Sequence, residues 1–261
     1  MSASAPTPLP LPRAETAAAI VIGDEILSGK FVEENAAYLI RELRALGVAL
    51  RRVVYIPDVI EDIAATVAEC ARLHDHVFTS GGVGPTHDDL TMEGIARAFG
   101  VAVVRDPRLE RMLRQFYGAR LEERNLRMAE VPEGAHFVEA DHPSWPVTAF
   151  RNVYILPGVP MIFRRKFDAI KARFRQASVP HVYRVYCMAE EGALAAHLDA
   201  IVAEFPTVEV GSYPRFDAVD YRVIVTLESR DADAAGAATE RLVARLPAGF
   251  LVRVETPSPP G

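Results

Sequence analysis

The residues best suited to chemistry lie between Thr79 and Thr91, in the run TSGGVGPTHDDLT. An apolar segment ends at Ser80, three glycines follow within four positions, and a helix-forming stretch begins shortly after. Gly81, Gly82 and Gly84 let a bound group come close to bare backbone amides. The helix start beyond them adds partial positive charge suited to a phosphate, and Thr79, Ser80 and Thr86 can add hydroxyl donors. Asp88 and Asp89 then stand beside this cradle, where they would repel a phosphate unless a divalent cation bridged them. The pattern points to an anion held through a hard ion (magnesium, or cobalt or manganese), with Asp88 and Asp89 as ligands. The plainer alternative is a tight strand-to-helix turn in which one aspartate caps the helix.

Further loops fall where the strands of a parallel sheet should end, the place at which such sheets bind ligands. In Gly23–Gly29 (GDEILSG), Asp24 and Glu25 could take a metal or ligand hydroxyls, and Gly23 opens the loop. Asn35, which follows, fits a ligand contact or a helix cap equally well. Asp58 and Glu61 have the spacing of a capping box, the structural alternative to a role for Asp58 beside an ion or a water. In Leu156–Pro160 (LPGVP), Pro157 and Gly158 either present backbone to a ligand or simply turn the chain. The seven histidines show no metal-ligand spacing. The segment Arg108–Arg127 mixes arginines with acids, a solvated face that could also help hold an anionic ligand.

These loops need a scaffold, and the first half of the chain supplies a strand-then-helix rhythm. Ala17–Ile22, Val48–Ile56 and Val77–Ser80 read as strands; Asn35–Leu46, Val59–Leu73 and Met92–Phe99 carry apolar residues at helical spacing. A short strand is expected at Val101–Val104, one or two charged helices over Arg108–Ala129, and a loop over Glu130–Ser144. A strand within Pro146–Leu156 and a helix over Met161–Phe174 close the unit. The expectation is an α/β fold in three layers, a mainly parallel sheet with helices on both faces. After Pro180 the order becomes β-α-β-β-α-β through Val254, that of a smaller α+β ferredoxin-like domain. The divisions are 1–15 as a disordered leader, 16–178, 179–255, and a tail at 256–261.

Composition narrows the function classes. The 261 residues are 50% hydrophobic and 25% charged, as in soluble globular chains, and 29 basic against 35 acidic residues give a net charge of −6. That balance disfavours a nucleic-acid partner. The longest apolar run, Ala17–Ile22, is far short of the roughly 20 residues that cross a bilayer, so no membrane partner is expected. The proline-rich start lacks the pattern of an export signal. With two cysteines and no partner motif, a reducing cytoplasm is the expected location.

At Gly23–Gly29, Asn35, Asp58 and Thr79–Thr91, in that order, the chain resembles the molybdopterin-binding family of MoaB/Mog-like proteins. The forms GGVGPTHDD and LPGVP look more like the branch of competence-damage-inducible protein A (CinA) and the N-terminal domain of eukaryotic FAD synthetases. Val210–Pro214 (VGSYP) and Tyr221–Ser229 (YRVIVTLES) resemble the accessory module that follows that domain in FAD synthetases. The Mog branch adenylates molybdopterin with ATP and magnesium, whereas the other is associated with metal-dependent hydrolysis of nucleotide pyrophosphates such as ADP-ribose or FAD.

Carried over by position, Asp58 and Asp89 match the family's acidic catalytic pair. Gly81, Gly82 and Gly84 match the loop that holds phosphate or pterin, in which Thr79, Ser80, Thr86, Gly23, Asn35, Pro157 and Gly158 are further binding candidates. Asp24, Asp88 and Asp89 are the metal candidates. One departure is Ala140–Ala149 (ADHPSWPVTA), which stands where relatives carry an Asn- and Gly-rich loop. The resemblance implies a metal-dependent pyrophosphatase acting on ADP-ribose- or FAD-like dinucleotides. The alternatives are a molybdopterin adenylyltransferase and a non-catalytic binder of pterin or nucleotide. A small-molecule nucleotide or pterin partner is expected, with molybdopterin as a possible ligand, and a homo-oligomer, dimer or trimer.

Overall fold

The computed structural model describes residues 14–138, 145–216 and 220–257, which divide after Ala177 into two compact units. In chain order the first holds β1 (Thr16–Ile22), α1 (Asp24–Leu27), α2 (Asn35–Ala45), β2 (Ala49–Ile56), α3 (Ile60–Leu73), β3 (His76–Ser80) and α4 (Thr91–Phe99). It continues through β4 (Val103–Arg105), α5 (Pro107–Tyr117), α6 (Glu123–Leu126), β5 (Glu130–Pro132), β6 (His136–Val138), β7 (Val147–Phe150), β8 (Val153–Leu156) and α7 (Pro160–Ile170). Six strands form the central sheet in the order β2-β1-β3-β8-β7-β6. β1 pairs in parallel with β2 and β3, and β3 with β8, while β7 and β6 are antiparallel additions at one edge.

β1 shows why the sheet needs cover on both faces. Its alternate residues enter different cores: Ala17 and Ala19 pack with Leu39 and Leu43 of α2 and with Phe163 and Phe167 of α7. Ala18, Ile20 and Ile22 pack with Ile63 and Val67 of α3 and Ile95 of α4. The period of two along the strand thus meets helical stripes above and below, and each fully buried leucine, isoleucine or phenylalanine contributes about 1.5–3 kcal/mol. The expected three-layer arrangement is observed, and the C-terminal ends of β1, β2, β3 and β8 open on the same edge.

Two local expectations are corrected. The strand expected at Val101–Val104 forms at Val103–Arg105 and lies outside the central sheet, paired antiparallel with β5. The stretch expected to be a loop over Glu130–Ser144 contains β5 and β6; residues 139–144 of it, and with them much of Ala140–Ala149, lie outside the described residues. β4, α5, α6 and β5 form an excursion with its own apolar cluster of Leu109, Leu113, Leu126, Ala129 and Val131. Asp106 starts α5, its carboxylate accepting the amides of Arg108 and Leu109 at 2.8 and 3.0 Å, with Pro107 in the first turn.

The second unit contains β9 (His181–Cys187), α8 (Glu191–Glu204), β10 (Glu209–Pro214), β11 (Val223–Ser229), α9 (Ala232–Arg245) and β12 (Leu251–Glu255). Its sheet has the order β10-β11-β9-β12 and is antiparallel throughout. Val185, Cys187, Val223, Val225 and Leu227 face Leu194 and Ile201 of α8 and Ala238 and Leu242 of α9 in a separate core. This is the expected β-α-β-β-α-β arrangement. Cys70 and Cys187 are both free and buried. Among the described residues no helix is long and apolar enough to cross a membrane. The leader expected at 1–15 lies outside the described residues up to position 13, as does the tail expected at 256–261 from 258 onward.

Candidate functional site

The loops that leave β1, β2, β3 and β8 are stitched to one another. The Gly23 amide donates to the Ile56 carbonyl at 3.1 Å, and the Asp24 amide to Asp58 Oδ2 at 2.9 Å, which ties the first loop to the second. Asn35 Nδ2 donates to Ser80 Oγ at 2.9 Å and to the Gly158 carbonyl at 2.8 Å, so the start of α2 joins the third loop to the fourth. The Gly81 amide donates to the Leu156 carbonyl at 3.2 Å.

These contacts correct two expectations. Asn35 is the first residue of α2 rather than its cap, and it is buried. Asp58 does not cap α3, which begins after Val59 without a side-chain cap; its carboxylate turns to the first loop and accepts the amide that opens α1.

The glycine run is shaped by close backbone approach. Gly81 has φ +107°, and a Cβ there would overlap the Ile22 carbonyl at the end of β1. Gly82 has φ +63°, and a Cβ there would run into Thr91 Oγ1. Thr91 is fully buried; its hydroxyl donates to the Gly81 carbonyl at 2.8 Å and its amide to the Gly82 carbonyl at 3.0 Å. The first turn of α4 is thereby fixed to the loop. Among the described residues no acceptor meets the amides of Gly82 and Val83, which leaves both donors available to a ligand.

Asp89 does something the sequence did not suggest. Its carboxylate accepts the amide of Gly84 at 2.6 Å, the amide of Thr86 at 2.8 Å and the hydroxyl of Thr86 at 2.5 Å. The loop therefore carries its own anion, and the helix-cap alternative fails for both aspartates, since Leu90 precedes α4 without a side-chain cap. Asp88 is exposed, and Thr86 together with its own backbone amide holds its carboxyl below the usual carboxylate range. Burial raises the Asp58 carboxyl, and the negative charges of Glu25, Asp24 and Asp88 raise it further against the Asp24 amide. Acidic groups from two neighbouring loops thus act on one half-buried carboxyl. Among the described residues Thr79 Oγ1 and Asn35 Oδ1 are buried without a hydrogen-bond partner.

The structure brings Gly23, Asp24, Asn35, Asp58, Thr79, Ser80 and the glycine loop to one edge, with Pro157 and Gly158 beside them. Gly158 packs so closely on Gly81 that a Cβ would lie 3.3 Å from its Cα. Sequence reading passed over Thr91, whose two bonds to the loop lie nine and ten positions from their partners. It also left Arg127 undistinguished within an arginine-rich run. Arg127 Nη1 donates to the Thr86 carbonyl at 2.8 Å.

A sequence profile described as the probable molybdopterin binding domain matches residues 18–176, more than half of the chain and all of the loops just described. The chain belongs to the molybdopterin-binding domain family. A second profile, the FAD synthase middle domain, matches residues 180–255 of this family member. The protein CinA of Thermoplasma acidophilum, a solved structure, superposes with a TM-score of 0.56 at 32% identity, covering 62% of this chain and 98% of that one. A probable FAD synthase of Caenorhabditis elegans is 30% identical over 93% of this chain and 52% of its own length. A CinA-like protein of Myxococcus xanthus is 36% identical over 69% of this chain and 46% of its own length. The chain thus spans about half the length of these two relatives of the molybdopterin-binding family.

Proposed function

We propose that this chain is a divalent-metal-dependent pyrophosphohydrolase acting on an ADP-containing dinucleotide of the ADP-ribose or FAD type. The observation that carries this reading is the pairing of two unclaimed amides, Gly82 and Val83, with an acidic cluster around Asp58 on the same edge of the sheet. The amides suit the diphosphate oxygens. Asp58 carries the raised carboxyl and is a better proton acceptor than an ordinary aspartate.

In the proposed reaction one water adds to a phosphorus atom and the P–O bond of the anhydride breaks. The bridging oxygen leaves on the second phosphate, the water's proton passes to Asp58, and AMP is one product. Asn35, anchored to Ser80 and Gly158, fixes the loops on either side.

The donor set fits a hard divalent ion: burial raises the Asp58 carboxyl, the charges of Glu25, Asp24 and Asp88 add to it, and a cation would offset their share. Among the described residues no three of His, Cys, Asp or Glu gather closely enough to hold an ion by themselves. Asp24 and Asp88 are the available carboxylates, which leaves most positions to phosphate oxygens and water, as magnesium sites often do. Such an ion, when bound, supplies charge neutralisation at the diphosphate and lowers the pKa of a bound water. Asp89 is left as the brace of the loop.

The relatives described as FAD synthases support a flavin dinucleotide among the substrates. The family's description supports a second reading, binding of a pterin. Incubation with ADP-ribose or FAD and magnesium, cobalt or manganese should release AMP, and chelation should stop it. No AMP from either substrate with any of these ions overturns the reading.

A further inference from the structure

The geometry points to Arg127 as a phosphate-binding residue, the cationic wall of the cleft that the glycine loop opens; this rests on the proposed diphosphate ligand and deepens it. Arg127 belongs to the excursion between β4 and β5, yet it reaches the loop and donates one N–H to the Thr86 carbonyl at 2.8 Å. The cleft there is lined by Gly82, Gly84, Asp89, Glu93, Arg127 and Glu130, so Arg127 shares it with the loop that carries the unclaimed Gly82 amide.

What distinguishes this arginine is its place in the cleft, since exposed arginines such as Arg111 and Arg120 also meet no carboxylate among the described residues. Arg97, Arg105, Arg114 and Arg164 each meet a carboxylate within 2.9 Å. Arg127 shares its cleft with three carboxylates but pairs with none among the described residues. A guanidinium carries five N–H donors in a planar fork, and a single carbonyl uses one of them. The remaining donors are left for an anion, and phosphate matches the fork. Amides on one side and a guanidinium on the other would grip a diphosphate between them, with Thr86 fixing the distance. The excursion thereby becomes part of the binding site rather than a decoration of the sheet.

The test measures binding of inorganic pyrophosphate by calorimetry, in the presence of magnesium, for the full chain and for two variants. Arg127→Gln retains a donor for the Thr86 carbonyl but has no charge; Arg127→Lys retains the charge. We expect Arg127→Gln to weaken binding roughly tenfold to a hundredfold, and Arg127→Lys to recover most of the loss. Unchanged affinity in Arg127→Gln, or equal losses in both variants, overturns the assignment. A measurement free of any folding defect is phenylglyoxal labelling of the unaltered protein, in which pyrophosphate should protect Arg127. Labelling that continues unabated at saturating pyrophosphate also overturns it. If the unaltered protein binds no pyrophosphate, the functional reading falls and takes this one with it; if it binds while the variants are indifferent, only Arg127 is wrong.

Discussion

Asp89→Asn separates a brace from a metal ligand by the sign of its effect on stability. In the metal-free protein the Asp89 carboxylate accepts three hydrogen bonds, at 2.5, 2.6 and 2.8 Å, two of them from backbone amides. Hydrogen bonds to a charged group are worth roughly 1.5–3 kcal/mol each when well buried. This site is half-exposed, and asparagine retains one accepting oxygen while turning an NH2 toward the other donors. A net loss of about 2 kcal/mol follows, which for a unit of this size lowers Tm by about 4–8 °C. Asp88→Asn, at an exposed carboxylate, should change Tm by less than about 2 °C. The assay is thermal and denaturant unfolding in excess EDTA. A carboxylate kept only for a metal would behave in the opposite way, since removing its charge from an acidic cluster relieves repulsion. If Asp89→Asn matches or exceeds the unaltered protein in EDTA, the brace is refuted.

Three further outcomes follow from the same structure. Gly81→Ala forces a Cβ onto the Ile22 carbonyl at positive φ, and should cost about 2–4 kcal/mol in denaturant unfolding; a loss below about 1 kcal/mol would contradict the close approach. Asp58 has a carboxyl raised by burial, so its protonated form is favoured in the fold and its contribution to stability is lost as pH rises through the folded-state pKa. Asp58→Asn should therefore be more stable than the unaltered protein at neutral pH, with the gain disappearing under acid, and a gain that grows under acid would oppose this. Burial pushes the Lys166 ammonium down to about 8 from the ordinary 10.5, while its Nζ donates to the carbonyls of Trp145 and Pro146. Between these two values the unfolded chain holds the proton that the folded one has released, so stability rises with pH across that window. The difference between the unaltered protein and Lys166→Met, followed from pH 7 to 11, should show that slope; a flat difference would remove it.

Much of the scaffold was legible because its signals are long. The apolar run Ala17–Ile22 and the stripe Ala36, Leu39 and Leu43 each repeat a period often enough to be recognised, and Gly47 and Gly100 end the helices before them. β4, β5 and β6 have three residues each, too few for any period to register. The site was legible as a list of residues but not as a set of contacts. Asp58 and Asn35 each carry a local capping signal, and each is used by a partner far along the chain: Asp24, 34 residues away, and Gly158, 123 residues away. The brace that Asp89 forms is invisible in the sequence because the amides of Gly84 and Thr86 have no signature in side-chain types. Arg127 is hidden for the opposite reason, among many arginines that look alike until their contacts are assigned.

The stitching between neighbouring loops has a consequence for how such a protein diversifies. A loop shaped by its own residues can drift alone, whereas here Gly23 rests on Ile56, Asn35 on Gly158 and Gly81 against Ile22. Inherited change at one of these corners is tolerated only if its neighbour changes in step. Novelty is therefore easier to acquire at exposed positions away from these corners, where a side chain can be exchanged without renegotiating its neighbours.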